Sequence, residues 1–344
     1  HPADRVREAF FAVPRHLFVE RYCTQANPRM REVTASNLAE HLPAIYANGG
    51  LGIHYEPGDP RVATISAPWI VLQMLEMLDL QPGQRVFELG TGSGWNAALM
   101  GHLVGPSGSV ATVEILPGLV ESARRGLERA GISNVEVALA DGSRGPTDGE
   151  FDSAVFTAGA SGLPAQFFTK VRDGGKLIFV LAIPGGGNVL ILFQRRGELF
   201  ESLSTLRCAF VPVTGGGPAA ASANQPLSLP GEPIARTPFP LPATADLRSY
   251  LWLVEPGFEV WTESNGRQSF GIQRGNSLAL IRDGYLEIHG TPAASHALRD
   301  HLRTWANLGF PGLADFKITA AREPRAGLIL RRPETVFSFQ PASC

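Results

Sequence analysis

The chain has 344 residues, 44% of them hydrophobic and 18% charged, with a formal net charge of -2. That length exceeds one typical domain and predicts a large domain with a smaller one beside it. The near-zero charge argues against nucleic acid as an electrostatic partner, and no apolar run is long enough to suggest a membrane span. Cys23, Cys208 and Cys344 are scattered, and His296 and His301 lie five apart, so they do not share a face as helical ligands would. No metal site is expected from such spacings. The first residues, His1-Pro2-Ala3-Asp4, lack the apolar core of a signal peptide. A reduced, cytoplasmic setting is the expectation.

Along the chain, Val6, Ala9, Phe10 and Val13 recur at helical spacing, and Pro14 ends that helix before an extended stretch to Val19. Residues 20–60 read as loop, broken at Asn48-Gly49-Gly50 and Pro57-Gly58-Asp59-Pro60, and are expected to lie over a site as a lid. Pro68 opens a helix with Ile70, Leu72, Met74, Leu75 and Leu78 on its apolar face. Ser66 can cap that helix, or its hydroxyl can hold a carboxylate; both roles stay open. Strands are expected at 85–90, 109–114, 135–140, 152–157 and 175–182, with helices at 95–104, 117–130 and 163–172. The alternation predicts an α/β fold with a parallel sheet covered on both faces and a ligand at the strands' carboxyl ends.

Four segments converge there: Glu88-Leu89-Gly90-Thr91-Gly92-Ser93-Gly94, Glu114-Ile115, Asp141-Gly142, and Thr157-Ala158-Gly159-Ala160. A hairpin at 188–195 and 199–207 and the run Phe210–Val213 close this unit, expected to span 1–213. Residues 214–246, rich in Gly, Pro, Ala and Ser, read as a linker. The tail, 247–344, reads as a compact α+β domain. Its strands are expected near 250–254, 258–262 and 269–273, in a hairpin through Arg282-Asp283-Gly284, and near 315–320 and 327–339. A helix is expected from Pro292 to Leu308.

The glycine turn admits two readings. A dinucleotide fingerprint needs Gly-x-Gly-x-x-Gly, and here the third glycine comes one residue early. With Glu88 before it and Glu114 after the next strand, the turn resembles motif I of class I S-adenosylmethionine (AdoMet) methyltransferases, a Rossmann-like doubly wound fold. In that frame Glu114 accepts the ribose hydroxyls. Asp141 accepts from the adenine amino group while the Gly142 N–H donates to the ring. Gly90, Gly92 and the following N–H groups suit the methionine carboxylate. Glu88 either holds the ammonium or braces the turn.

More of the chain, roughly residues 4–213, resembles the protein-L-isoaspartate O-methyltransferase family. The resemblance rests on Val13-Pro14-Arg15-His16-Leu17-Phe18-Val19, Thr64-Ile65-Ser66-Ala67-Pro68, Phe87–Trp95, Val113-Glu114-Ile115, Asn134–Val137 with Asp141-Gly142, and Asp152–Ala160. It implies methyl transfer from AdoMet to a peptide or protein carboxylate at Asp or isoaspartate, with S-adenosylhomocysteine as product. It also implies that Thr64-Ile65-Ser66 closes over cofactor and substrate, with Ser66 as the active-site serine. Thr64 would join Ser66 in catalysis, Ser93, Gly94, Ile115 and Thr157 would line the cofactor, and Ile65, Ala67, Ala158, Gly159 and Ala160 the substrate. Asp59-Pro60-Arg61-Val62-Ala63 departs from the family's usual segment. The added tail resembles methyltransferases of ribosomal-peptide (lanthipeptide, lasso or graspetide) clusters, which methylate aspartate. An AdoMet-binding module without activity and an NAD-dependent oxidoreductase are the competing readings.

Overall fold

The computed structural model describes residues 1–54, 62–184, 187–217, 225–226, 229, 231–239, 245–262, 267–325, 327–332 and 334–341. The Pro57–Pro60 breaker, the departure at 59–61, part of the 214–246 segment and Cys344 lie outside the described residues. Helix α1 (Pro2–Ala12) buries Val6 and Ala9. The extended run expected to Val19 is instead a 3-10 turn, Arg15–Phe18, closed by Leu17 N–H on Pro14 O at 3.1 Å. Residues 20–60 are not loop. Strands β1 (Arg21–Thr24) and β2 (Asn27–Glu32), helix α2 (Leu38–Ile45), and strands β3 (Leu51–His54) and β4 (Ala63–Ile65) occupy this region, and the strands pair in the order β2-β1-β3-β4. Each strand buries two residues or fewer, such as Tyr22 and Cys23 or Leu51 and Ile53, so no alternation long enough to read exists in the sequence.

The main sheet follows the expected alternation: α3 (Pro68–Leu78), β5 (Arg85–Leu89), α4 (Trp95–Val104), β6 (Ser109–Glu114), α5 (Pro117–Arg129), β7 (Val135–Leu139), β8 (Phe151–Phe156), α6 (Phe167–Lys170), β9 (Val171–Ala182), β10 (Asn188–Arg196) and β11 (Leu199–Cys208). The helix expected over 163–172 shrinks to four residues, because Val171 already pairs with Phe151. Strands β7-β6-β5-β8-β9 run parallel, and β10 and β11 add antiparallel to them. The chain leaves β5 towards β6 and β7, then returns to β8 on the other side. The carboxyl end of β5 is therefore the point where strand order reverses, and a crevice opens there.

Beyond Val213 the chain adds β12 (Gln225–Pro226), β13 (Ala235–Pro238), α7 (Ala245–Val254), β14 (Phe258–Thr262), β15 (Gln268–Arg274), β16 (Ser277–Arg282), β17 (Tyr285–His289), α8 (Ala293–Asn307), β18 (Phe316–Ala321), β19 (Leu328–Arg331) and β20 (Val336–Pro341). The strand expected at 250–254 is the helix α7, with Leu247, Tyr250 and Leu251 buried on one face. A short apolar run such as Tyr250–Leu253 fits either element by pattern alone.

Two sheets share the tail. Strands β12–β17 form a six-stranded sheet, with β12 and β13, from the segment expected to be linker, at its edges. Strands β18–β20 instead extend the main sheet to ten strands, Phe200 of β11 pairing with Ala320. Phe337 of β20 stacks on Phe179 of β9 with ring centroids 5.5 Å apart, so the tail contributes to the central core.

Candidate active site

A cleft of about 940 Å³, open solvent included, lies at the carboxyl ends of β5, β6 and β8. Its floor is the glycine turn. Gly90, Gly92 and Gly94 all have positive φ (96°, 53° and 85°), which side chains with a Cβ rarely adopt. A Cβ on Gly90 would meet Thr157 Oγ1 at 2.5 Å, and one on Gly92 would meet Thr64 O at 3.4 Å. The turn is thus wedged between β8's end and the Thr64–Ser66 segment. Helix α4 starts behind it with Gly94 as N-cap and no side-chain cap, leaving its positive end turned to the cleft edge.

Beneath the turn a buried hydrogen-bond chain holds it. Asn96 Nδ2 donates to Glu88 Oε1 at 2.7 Å, Thr112 Oγ1 donates to Glu88 Oε2 at 2.6 Å, and Thr91 and Thr112 hydroxyls meet at 2.7 Å. Glu88 is fully buried and does not line the cleft, which places it as the brace. Burial pushes its carboxyl from the ordinary 4.5 up to about 7; hydrogen bonds from Thr112 and Asn96 pull it back, and Glu114 adds like-charge repulsion.

A folded pKa above the unfolded one favours the protonated fold, so this group costs no stability below pH 4.5 and an increasing amount as pH rises to about 7. The cost above that range is roughly 3 kcal/mol. Glu88→Gln removes the ionisation. Its Tm relative to the native chain is expected to climb between about pH 5 and about pH 8; a difference that stays flat with pH would refute this.

Glu114 ends β6 inside the cleft, nearly buried. Its Oε2 accepts the Gly92 N–H at 2.9 Å, and Oε1 accepts those of Ile115 and Leu116 at 2.9 and 3.1 Å. Burial raises the carboxyl, against the pull of those N–H groups. Since an ionised carboxylate offers about four acceptor positions, one stays open to the cleft.

Opposite stands Thr64-Ile65-Ser66, which lines the cleft along with Val71, Met74 and Trp95. Ser66 does not cap α3: Ala67 is the N-cap and no side chain caps it. What holds the segment is Arg15, wholly buried. Its Nη1 donates to Ile45 O at 2.7 Å and Ala47 O at 3.4 Å. Nη2 donates to Ser66 O at 2.8 Å and to Gly49 O and Ile65 O at 3.4 Å. The guanidinium lies 5.2 Å from the Trp95 ring centroid, and Trp95 Nε1 donates to Val13 O. Burial lowers Arg15 to about 10, Tyr46 opposing, so it stays charged at neutral pH.

Asp141 accepts from protein groups on both oxygens. Its Oδ1 accepts from the Ser143 N–H and hydroxyl, and its Oδ2 accepts the Gly216 N–H at 2.9 Å. Burial works to raise the carboxyl, but those bonds from Ser143 and Gly216 hold it below the usual range. Asp141 does not line the cleft, whereas Gly142 and Ser143 do. The glycines 215–217 are what permit this: a Cβ on Gly215 would fall 2.2 Å from Asp141 Oδ1.

On the far wall, the Thr157 hydroxyl is directed at Leu89 O and Gly90 O. Ala158 lines the cleft. Gly159 and Ala160 do not; their backbones pair with Val211 and Val213 and with Val180 and Ala182. The structure therefore brings together Thr64, Ile65, Ser66, Gly90, Thr91, Gly92, Ser93, Glu114, Ile115, Gly142, Thr157 and Ala158, and leaves Glu88, Gly94, Ala67, Asp141, Gly159 and Ala160 outside the lining. Sequence reasoning missed Arg15, Asn96, Thr112 and Ser143. Only the Pro14-Arg15-His16 run gave any signal, since a charge amid apolar residues asks for partners.

The family model described as Protein-L-isoaspartate(D-aspartate) O-methyltransferase (PCMT) matches residues 2–217. The protein-L-isoaspartate O-methyltransferase of Pyrococcus horikoshii is 39% identical over 220 residues, covering 62% of this chain and 86% of the relative. That of Hyperthermus butylicus is 39% identical over 222 residues, covering 62% and 82%. A solved structure named protein-L-isoaspartate O-methyltransferase superposes with a TM-score of 0.58 at 22% identity, over 92% of this chain and 91% of its own. The nicotinamide and inactive-module readings give way to these matches. With a backbone-only glycine floor, an acceptor at Glu114 and apolar walls from Val113, Ile115 and Leu116, the cleft fits AdoMet. The chain belongs to the protein-L-isoaspartate(D-aspartate) O-methyltransferase family and is an AdoMet-dependent protein carboxyl O-methyltransferase of Rossmann-like α/β fold.

Proposed function

We propose that the enzyme esterifies the free carboxylate of an isoaspartyl residue in a protein or peptide. The observation that carries this is the placement of Ser66 and its backbone neighbours across the same cleft as Glu114, so close to the glycine turn that a Cβ on Gly92 would touch Thr64 O. When bound, AdoMet supplies an electrophilic methyl on a sulfonium. The protein's own part is to place the acceptor. A carboxylate is already ionised at neutral pH, so no general base is required.

Ser66 donates its hydroxyl proton to one carboxylate oxygen and leaves the other free to attack in line. The open acceptor position of Glu114 would take one ribose hydroxyl, and the Gly90–Gly94 turn would receive the methionine carboxylate. Thr64 and Ile65 shut out water, which strengthens the attraction between the anionic acceptor and the cationic donor. Ala158 forms the peptide side. Cys23 and Cys208 are free thiols, in keeping with a cytoplasmic site of action.

Aspartate in a ribosomally made peptide is the second acceptor that the tail suggested. A fold of this length, tail included, also occurs in a structure named for isoaspartate, so the tail does not favour it. Two matched peptides differing only in Asp against isoAsp decide between them by mass spectrometry after incubation with AdoMet. The isoAsp peptide is expected to gain a methyl and the Asp peptide to stay unchanged; methylation of Asp alone would overturn the proposal. Ser66→Ala is expected to lower kcat/KM roughly 10- to 100-fold, as loss of one hydrogen bond to a charged group does.

A further inference from the structure

The last strands of the tail carry a cluster of arginines against the segment that follows Ala158. Arg322, Arg331 and Arg332 line a shallow depression of about 830 Å³, open solvent included, together with Ala165, Glu334 and Thr335. Three arginines thus share one depression with a single carboxylate, Glu334, whose Oε2 already accepts the Ala165 N–H at 2.8 Å. Among the described residues no ion pair neutralises Arg322 or Arg331. Arg332 donates to the carbonyls of Ser161 and Arg331, both at 3.0 Å, and lies 5.1 Å from the Trp252 ring centroid.

This depression is tied to the cleft by a short stretch of chain. Thr335 bonds both the N–H and the carbonyl of Leu163, and Arg332 bonds Ser161 O. Ser161 follows Ala158, a cleft residue, by three positions. At a maximum of about 3.5 Å per residue, Ser161, to which Arg332 is bonded, lies no more than roughly 10 Å along the chain from the cleft wall at Ala158. A bound peptide covers that distance in three to five residues.

We propose that Arg322, Arg331 and Arg332 form a subsite for acidic side chains flanking the methylated residue, so that the enzyme favours sites within acidic stretches. This rests on the peptide carboxyl methylation proposed above. Guanidinium forks pair carboxylates bidentately. Each exposed pair is weak and screened by salt, so the advantage comes from several together.

The test uses two fluorescein-labelled isoAsp peptides, identical except for Glu or Gln three to five residues on either side of the isoAsp. Binding to the full chain in the presence of S-adenosylhomocysteine is read by anisotropy. The acidic peptide is expected to bind roughly three- to tenfold more tightly at low salt. That ratio should fall to about one at high salt and in the double variant Arg322→Gln/Arg331→Gln, which keeps Arg332 on Ser161. A ratio of one in the native chain, or a ratio that survives the double substitution, overturns the subsite. Methyl incorporation into the same peptides is scored separately: if neither is methylated while the binding ratio holds, the reaction proposed above fails and the subsite stands.

Discussion

Glu114→Ala is expected to weaken AdoMet and S-adenosylhomocysteine binding about a hundredfold or more, read by isothermal titration calorimetry. Two losses act together. The ligand-facing acceptor of the carboxylate disappears, and a charge-assisted bond to it would be worth about 1.5–3 kcal/mol. The N–H groups of Gly92, Ile115 and Leu116 also lose the oxygens that receive them, which frees the glycine turn and the entry to α5. Glu114→Gln separates the contributions, because an amide keeps one acceptor and turns the other into a donor. An intermediate loss is expected for it. Affinity within a few-fold of the native chain in Glu114→Ala would mean that the ligand does not sit at the end of β6.

The second large effect is expected at Arg15, and it falls first on stability. Arg15→Met retains much of the buried volume but leaves carbonyls from two segments without their donor: Ile45, Ala47 and Gly49 in one, Ile65 and Ser66 in the other. Buried carbonyls left unsatisfied cost about 1–3 kcal/mol each, partly relieved by entering water, so a net loss of about 3–5 kcal/mol is expected in urea denaturation. Methyl transfer should fall further than stability explains, since Arg15 fixes the backbone of the residue that faces the acceptor. Arg15→Lys, with one charge but no fork, is expected to recover stability in part and activity poorly. Full stability in Arg15→Met would show that the carbonyls find other donors.

Much of this site can be read from the order of residues. Apolar runs ending at Leu89 and Glu114, each followed by a helix start, fix a parallel sheet whose carboxyl ends face one crevice. A turn with glycines at 90, 92 and 94 can hardly serve another purpose than close approach of backbone to neighbour or ligand. These are local facts, set by period and by φ. The misreadings share a cause as well. The strands of residues 20–54 bury so few side chains that no period shows, and Tyr250–Leu253 is apolar in a way that suits strand and helix alike.

Partner choice is not local. Asp141 looked ready for an adenine, yet its Oδ2 receives an N–H 75 residues further on and the residue does not line the cleft. Glu88 looked equally suited to ligand or brace, and its burial against Asn96 and Thr112 decided for the brace. Nor could spacing tell that β18–β20 would leave their sequence neighbours and join β11. A strand edge accepts whichever strand offers matching register and buried face, and that contest is settled only when distant parts of the chain are packed together. The sequence by itself therefore determined the elements and the turn that could hold a donor; the tertiary structure decided which polar groups remain free to use it.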